Sequence, residues 1–260
     1  MQDLNITCIQ SDLNWEDKAK NLDMFSAKIA SIQEPTDIIV LPEMFPSGFT
    51  TNVEQMGETM DGATMKWLVQ QAQNTECVIT GSLIVKDNDA HFNRLIWMQP
   101  DGKFYTYDKR HLFRMMKEDH YFSPGKSKLI VEWKGWKICP LICYDLRFPV
   151  WSRNRDDYDC LIYIANWPEA RKNAWSTLLQ ARAHENQAYV IGVNRVGNDG
   201  NQISFSGDSA VIDPKGETIS TFESGKEDVK TETLSHAKLQ EFRNNFPAGM
   251  DADQFMINLD

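Results

Sequence analysis

The sequence predicts an α/β protein in which mixed β-sheets are covered by helices on their outer faces. Short, β-branched apolar segments alternate with helix-period stretches along the first two thirds of the chain, the pattern of strands joined by crossover helices. Several turns containing Gly or Pro join neighbouring apolar runs as hairpins, which a purely parallel sheet would lack. The longest apolar runs, such as Ile38-Ile39-Val40-Leu41 and Leu161-Ile162-Tyr163-Ile164-Ala165, are strand-sized and far below the roughly 18 residues of a membrane span.

Taken in order, Leu4 to Ile9 reads as a first strand, about Glu16 to Ile32 as a helix, and Ile38 to Leu41 as a second strand. Ala63 to Gln73 has helical spacing and leads into a strand from Cys77 to Leu83. Arg94 to Gln99 pairs with Phe104 to Tyr107 through Pro100-Asp101-Gly102, a turn sequence. Lys128 to Trp133 and Trp136 to Ile142 form a second hairpin across Lys134-Gly135. Asp159 to Ala165 and Tyr189 to Asn194 read as buried strands separated by a helix from about Ala174 to Asn186. A third hairpin spans Ala210 to Ile219, and Ser235 caps a helix reaching Asn245. No linker, charge block or sharp repeat interrupts the chain, so a single domain over 1–260 is expected, with a C-terminal arm from about residue 246.

Composition narrows the function classes. Lys and Arg total 27 against 37 Asp and Glu, a formal net charge of −10, which opposes binding to nucleic acid or anionic membranes. The first ten residues lack the basic and apolar regions of a signal peptide, and five scattered cysteines (Cys8, Cys77, Cys139, Cys143, Cys160) fit free thiols in a reducing compartment. A cytoplasmic protein is expected. There is no Cys-x-x-Cys pair or other ligand cluster, so neither a metal nor a cofactor is expected.

Three strand ends carry residues with chemistry. Glu43 follows Ile38-Ile39-Val40-Leu41-Pro42, Lys109 follows Phe104-Tyr105-Thr106-Tyr107-Asp108, and Cys143 ends Ile138-Cys139-Pro140-Leu141-Ile142 before an expected helix. In α/β folds such positions face a common crevice. Each alone has a bland reading: a cap, a solvated lysine, a small core hydrophobe. Together they can supply a nucleophile, a base for its proton and a cation for the oxyanion formed at a carbonyl. A helix N-terminus after Cys143 would also favour its thiolate. His111, two residues from Lys109, and His184 are the alternative thiol activators.

The strings Leu-Pro-Glu-Met-Phe (41–45), Tyr-Asp-Lys-Arg-His-Leu-Phe (107–113) and Ile-Cys-Tyr-Asp-Leu-Arg-Phe-Pro (142–149), in this order, resemble the three signatures of the nitrilase superfamily of carbon–nitrogen hydrolases. Similarity extends through Tyr-Ile-Ala-Asn-Trp-Pro (163–168), Ala-Arg-Ala-His-Glu-Asn-Gln-Ala-Tyr-Val (181–190) and Gly-Asp-Ser (207–209), and is strongest to the omega-amidase branch, which deamidates 2-oxoglutaramate and 2-oxosuccinamate. The resemblance implies an α-β-β-α sandwich, a homodimer joined through helical faces, and no cofactor. It also makes Glu43 the general base, Lys109 the oxyanion cation, Cys143 the nucleophile and Glu118 an auxiliary glutamate.

For the substrate, the backbone N–H of Tyr144 is the expected second oxyanion donor. Arg171 and Arg147 are candidates for gripping a carboxylate, and Asn166, Trp167 and Phe113 are candidate pocket residues. The rival readings are an amidase or N-carbamoyl hydrolase for another small amide, or a catalytically silent binding subunit on the same fold.

Overall fold

The computed structural model describes residues 2–155 and 157–259. Along the chain lie β1 (Leu4–Gln10), α1 (Lys18–Ala30), β2 (Ile38–Val40), α2 (Val53–Met56), α3 (Ala63–Thr75), β3 (Val78–Asp87), β4 (Ala90–Met98), β5 (Phe104–Asp108) and α4 (Glu118–Tyr121). Then follow β6 (Val131–Trp133), β7 (Trp136–Ile142), α5 (Pro149–Ser152), β8 (Cys160–Ala165), α6 (Lys172–Asn186) and β9 (Tyr189–Asn194). The last third holds β10 (Val196–Asn198), β11 (Ser204–Ser206), β12 (Ala210–Ile212), β13 (Thr218–Thr221), β14 (Asp228–Leu234) and α7 (His236–Asn245).

These strands form two six-stranded sheets, ordered β14-β1-β2-β3-β4-β5 and β13-β12-β9-β8-β7-β6, with β10 and β11 as a separate ribbon. Read from β14, the first sheet pairs antiparallel, parallel, parallel, antiparallel, antiparallel. Read from β6, the second repeats that succession. Each parallel step needs a crossover: α1 between β1 and β2, α3 between β2 and β3, the segment carrying α5 between β7 and β8, and α6 between β8 and β9.

Strand alternation decides the layers. Ile38 and Val40 of β2 join the cluster that fills the space between the sheets, with Trp97, Ile138 and Ile142. Ile39 points to the other face, where it meets Phe25, Ile29 and Leu68 of α1 and α3. Both faces of the strand are therefore buried, which is why β2 reads as an uninterrupted apolar run. On the far side, Trp175, Leu179 and Ala183 of α6 cover the second sheet. The result is helices, sheet, sheet, helices, the expected α-β-β-α sandwich. Each large side chain removed from water here contributes on the order of 2–3 kcal/mol, and Trp97, Trp136 and Trp175 are fully buried.

Four local expectations change. The strand expected to end at Leu83 runs to Asp87 and turns straight back into β4 through Asn88 at φ +53°. The polar tip Lys86-Asp87-Asn88-Asp89 disguises that hairpin. Of Lys128 to Trp133 only the last three residues are strand. Ser235 occupies the cap of α7, but its side chain makes no capping hydrogen bond. The segment after Cys143 is a five-residue 3-10 turn, Cys143–Arg147, before α5, and not a regular helix. After α7 come a 3-10 turn (Ala248–Asp251) and an extended stretch whose Phe255 carbonyl accepts from Arg155 at 3.1 Å.

Candidate active site

The loops leaving β2, β5, β7 and β8 converge. Glu43 follows β2 after Leu41-Pro42, and the next residue, Met44, adopts φ +45° with its N–H bonded to Ser82 Oγ at 2.8 Å. Lys109 stands one residue past β5, its N–H bonded to the Asn93 carbonyl and its own carbonyl accepting from the Gly125 N–H, both at 3.0 Å. Gly125 is required there, because a Cβ would lie 2.0 Å from the Asp108 carbonyl oxygen. Cys143 comes directly after β7 at φ +43°, a left-handed conformation that costs a non-glycine residue roughly 1–2 kcal/mol. Such a sharp strand-to-turn elbow pushes the side chain clear of the sheet.

Asp145 holds the elbow. Its Oδ2 accepts from the Ile142 N–H at 3.0 Å and from the Tyr107 hydroxyl at 2.8 Å, while its Oδ1 accepts from the His111 N–H at 3.0 Å. The His111 ring is turned to this carboxylate (Nδ1 to Oδ1, 2.8 Å) and stacks on Phe148 at 3.8 Å. His111 therefore braces the lysine loop against the cysteine elbow rather than activating sulfur. His184 is exposed on α6 and packs over Gly216.

Three charged side chains form a buried cluster. Lys109 Nζ donates to Glu43 Oε1 at 2.8 Å and to both Glu118 oxygens at 3.0 and 2.9 Å, and none of the three is more than 1% exposed. Asn93, inward-facing on β4, donates to Glu43 Oε1 at 2.8 Å and reaches Glu118 Oε1 at 3.4 Å. Glu43 Oε2 accepts the Asn166 N–H at 2.8 Å, and Glu118 Oε2 accepts the Phe113 N–H at 2.6 Å.

Burial opposes the lysine charge, but Glu118 and Glu43 more than reverse it and hold Lys109 as an ammonium. Burial pushes the Glu118 carboxyl up, with the Glu43 charge adding to the rise and Lys109 pulling against it. Burial and then the Glu43 carboxylate push the Cys143 thiol well above its ordinary value, and Lys109 offsets this only in part. The expected helix-favoured thiolate is thus replaced by a protonated thiol beside a carboxylate. Such an arrangement supplies a nucleophile whose proton must leave as it attacks.

A cavity of about 30 Å³, room for about one water, opens on Lys109, Cys143 and Asn166. Phe49, Phe113 and Phe205 wall it, and Arg171 and Asp199 bring charge to it. Among the expected substrate residues, Phe113, Asn166 and Arg171 line the cavity. The other three do not. Arg147 stacks 4.8 Å over the Trp167 ring, Trp167 donates to the Arg171 carbonyl at 2.8 Å, and the Tyr144 ring packs between Phe113 and Phe148.

Asn93, Phe49, Met116, Asp199, Ile203 and Phe205 escaped the sequence reading. Only Asn93 carried a signal, a polar residue at an inward position of an apolar strand. Asp199 fixes the β10–β11 turn by accepting the Asn201 and Ile203 N–H groups at 2.8 and 2.9 Å. The fully buried Arg195 braces Phe205 from behind at 4.7 Å. Among the described residues no group of three or more His, Cys, Asp or Glu is placed to hold a metal ion.

Comparison with known proteins places this geometry. Omega-amidase YafV of Escherichia coli K12 is 46% identical over 257 residues, covering 99% of this chain and all of that one. The 2-oxoglutaramate amidase of Bacillus subtilis is 32% identical over 228 residues, 86% of this chain and 87% of its own. The crystal structure of XC1258 from Xanthomonas campestris, a CN-hydrolase superfamily protein with an arsenic adduct in its active site, superposes with a TM-score of 0.97 at 45% identity, covering 99% of this chain and 100% of that one. Residues 5–244 match the carbon–nitrogen hydrolase family, and the chain belongs to that family.

Proposed function

We propose that this protein is an omega-amidase, hydrolysing the terminal amide of 2-oxoglutaramate, 2-oxosuccinamate and similar short 2-oxo-acid amides to the dicarboxylate and ammonia. The observation that carries the reading is one buried ammonium, Lys109, clamped between two buried carboxylates beside the elbow thiol of Cys143. The similarity to omega-amidase YafV and to 2-oxoglutaramate amidase supports the substrate class.

Glu43 takes the thiol proton as the Cys143 sulfur attacks the amide carbon, and Lys109 with the Tyr144 backbone N–H receives the oxyanion. Glu43 passes the proton to the nitrogen, the C–N bond breaks, and ammonia leaves. Water, deprotonated by Glu43, then attacks the thioester, releasing the acid and restoring the thiol. Glu118 steadies Lys109 and, through the Phe113 N–H, the pocket wall. Arg171 grips the substrate carboxylate, its guanidinium seated 5.4 Å over the Phe113 ring, with Arg147 and Trp167 supporting it from behind.

A second reading rests on Asp199, a carboxylate lining the same cavity as Arg171. It favours an amidase or N-carbamoyl hydrolase for a small amide with a cationic or hydroxylated tail. Ammonia release from 2-oxoglutaramate, from glutamine and from a simple aliphatic amide, with Cys143→Ala in parallel, separates the readings. Preferential release from the oxo-acid amide that vanishes in the variant is expected. Release only from another amide discards the omega-amidase assignment, and no release at all restores the silent binding subunit.

We also take the chain as one hydrolase unit acting as a cytoplasmic homodimer. Supporting this are five free cysteines and the absence, among the described residues, of any helix long and apolar enough to cross a membrane. The exposure of Phe246, Met250 and Met256 on the C-terminal segment agrees with a docked arm.

A further inference from the structure

The side chain of Asn166 carries an unused acceptor beside the nucleophile. Its Nδ2 donates to the Glu43 carbonyl at 2.5 Å, and because that oxygen can only accept, the amide orientation is settled and Oδ1 faces away. Its backbone N–H occupies Glu43 Oε2, and its carbonyl lies 3.9 Å from Cys143 Sγ. Asn166 is 6% exposed and lines the cavity with Cys143 and Lys109, yet Oδ1 is buried and meets no donor among the described residues. Buried acceptors left without a partner are uncommon and destabilising, so this one is reserved for something that arrives.

The two oxygens of Glu43 are not equivalent. Oε1 accepts from both Lys109 and Asn93, whereas Oε2 accepts only the Asn166 N–H among the described residues. Proton traffic therefore runs through Oε2, and the leaving nitrogen must come within hydrogen-bond reach of it. That brings the nitrogen against Asn166, while the carbonyl oxygen takes Lys109.

We propose that Asn166 Oδ1 accepts a hydrogen bond from an N–H of the scissile carboxamide and holds the nitrogen under Glu43 Oε2 as the C–S bond forms and the C–N bond breaks. One N–H goes to Oδ1, and the nitrogen lone pair, freed in the tetrahedral intermediate, takes the proton that Glu43 removed from the thiol. The acceptor makes the site selective for unsubstituted carboxamides, since an ester with the same acyl group offers no N–H and leaves Oδ1 unpaired. This inference rests on the thiol mechanism proposed above.

The test compares kcat/KM, which reads acylation, for 2-oxoglutaramate and for the 5-methyl ester of 2-oxoglutarate in the full-length enzyme. Asn166→Ala removes donor and acceptor, and the amide-to-ester ratio is expected to fall about tenfold or more. Asn166→Asp loses the Nδ2 donor but keeps an acceptor, so both rates fall while the ratio stays near the wild-type value. Taking the ratio within one variant cancels any loss of folded enzyme. An equal fall on both substrates in Asn166→Ala, or a ratio in Asn166→Asp as low as in Asn166→Ala, overturns the proposal. If the wild type releases ammonia only from a different amide, the same comparison is made with that amide and its methyl ester, so failure of the substrate assignment remains distinct from failure of this inference.

Discussion

Replacing Lys109 with Met keeps its volume and removes its charge, and the cost follows from the cluster's geometry. Three contacts of 2.8–3.0 Å disappear, and two buried carboxylates that shared one ammonium are left facing each other. Removing one partner of a buried ion pair costs about 3–5 kcal/mol, a large part of the roughly 5–15 kcal/mol that holds a domain together. The loss must depend on pH. Without Lys109 the Glu118 carboxyl, already raised by burial and by the Glu43 charge, loses the ammonium that pulls against them and rises further above its unfolded value. The folded variant then binds more protons than the unfolded chain, and its stability falls as pH rises through the raised pKa. Urea unfolding at about pH 5 and pH 8 is the assay, with the gap between wild type and variant wider at the higher pH. Lys109→Met/Glu118→Gln removes one of the stranded charges, so stability is partly recovered while turnover stays at least about a hundredfold down if, as proposed, Lys109 is the oxyanion cation. A gap that does not change with pH, or a double variant less stable than the single, would refute the reasoning.

Other consequences are sharper to measure. Because the Cys143 thiol is held well above the ordinary 9.0, its alkylation by iodoacetamide keeps accelerating past that pH. A plateau near neutrality, read by mass spectrometry of the labelled peptide, contradicts a protonated resting thiol. Gly125→Ala drives a methyl group into the Asp108 carbonyl, so the lysine loop shifts and kcat falls along with a drop of several degrees in Tm. An unchanged Tm shows that the loop has room to yield. Arg171→Gln raises KM for 2-oxoglutaramate more than it lowers kcat if the guanidinium binds the substrate carboxylate, and a pure kcat effect assigns it elsewhere.

Glu43, Lys109 and Cys143 were legible because each stands at the end of an apolar strand, where periodicity locates the residue and chemistry says why three such groups belong together. Mixed sheets under helical cover were legible for the same reason, since runs such as Ile38-Ile39-Val40 need cover on both faces, whereas the two-sheet sandwich came from the resemblance. What surrounds Glu43, Lys109 and Cys143 was legible only in part: Phe113, Asn166 and Arg171 were, and the rest of the cavity wall was not. Phe205 and Ile203 reach the cavity from a ribbon whose strands are three residues each, too short for periodicity to register. The difference between His111 as base and His111 as brace lies in which way a ring faces, and a spacing of two residues does not encode that. The raised thiol pKa was also hidden, because it depends on burial and on a carboxylate a hundred residues earlier in the chain.

The paired sheets also set where this protein is vulnerable. Glu43 and Lys109 hang from one sheet and Cys143 and Asn166 from the other. Clasps that use at least one side chain, such as Asn166 to Glu43 and Tyr107 to Asp145, cross between them at the site. Turnover is thus a gauge of interlayer registry. A slide of one sheet over the other by a fraction of an ångström would open the gap between Glu43 and Cys143 while every strand kept its partners. Overpacking the shared layer at Cys8 or Cys160, which face each other across it, would be felt first as lost catalysis, with circular dichroism still reporting an intact fold.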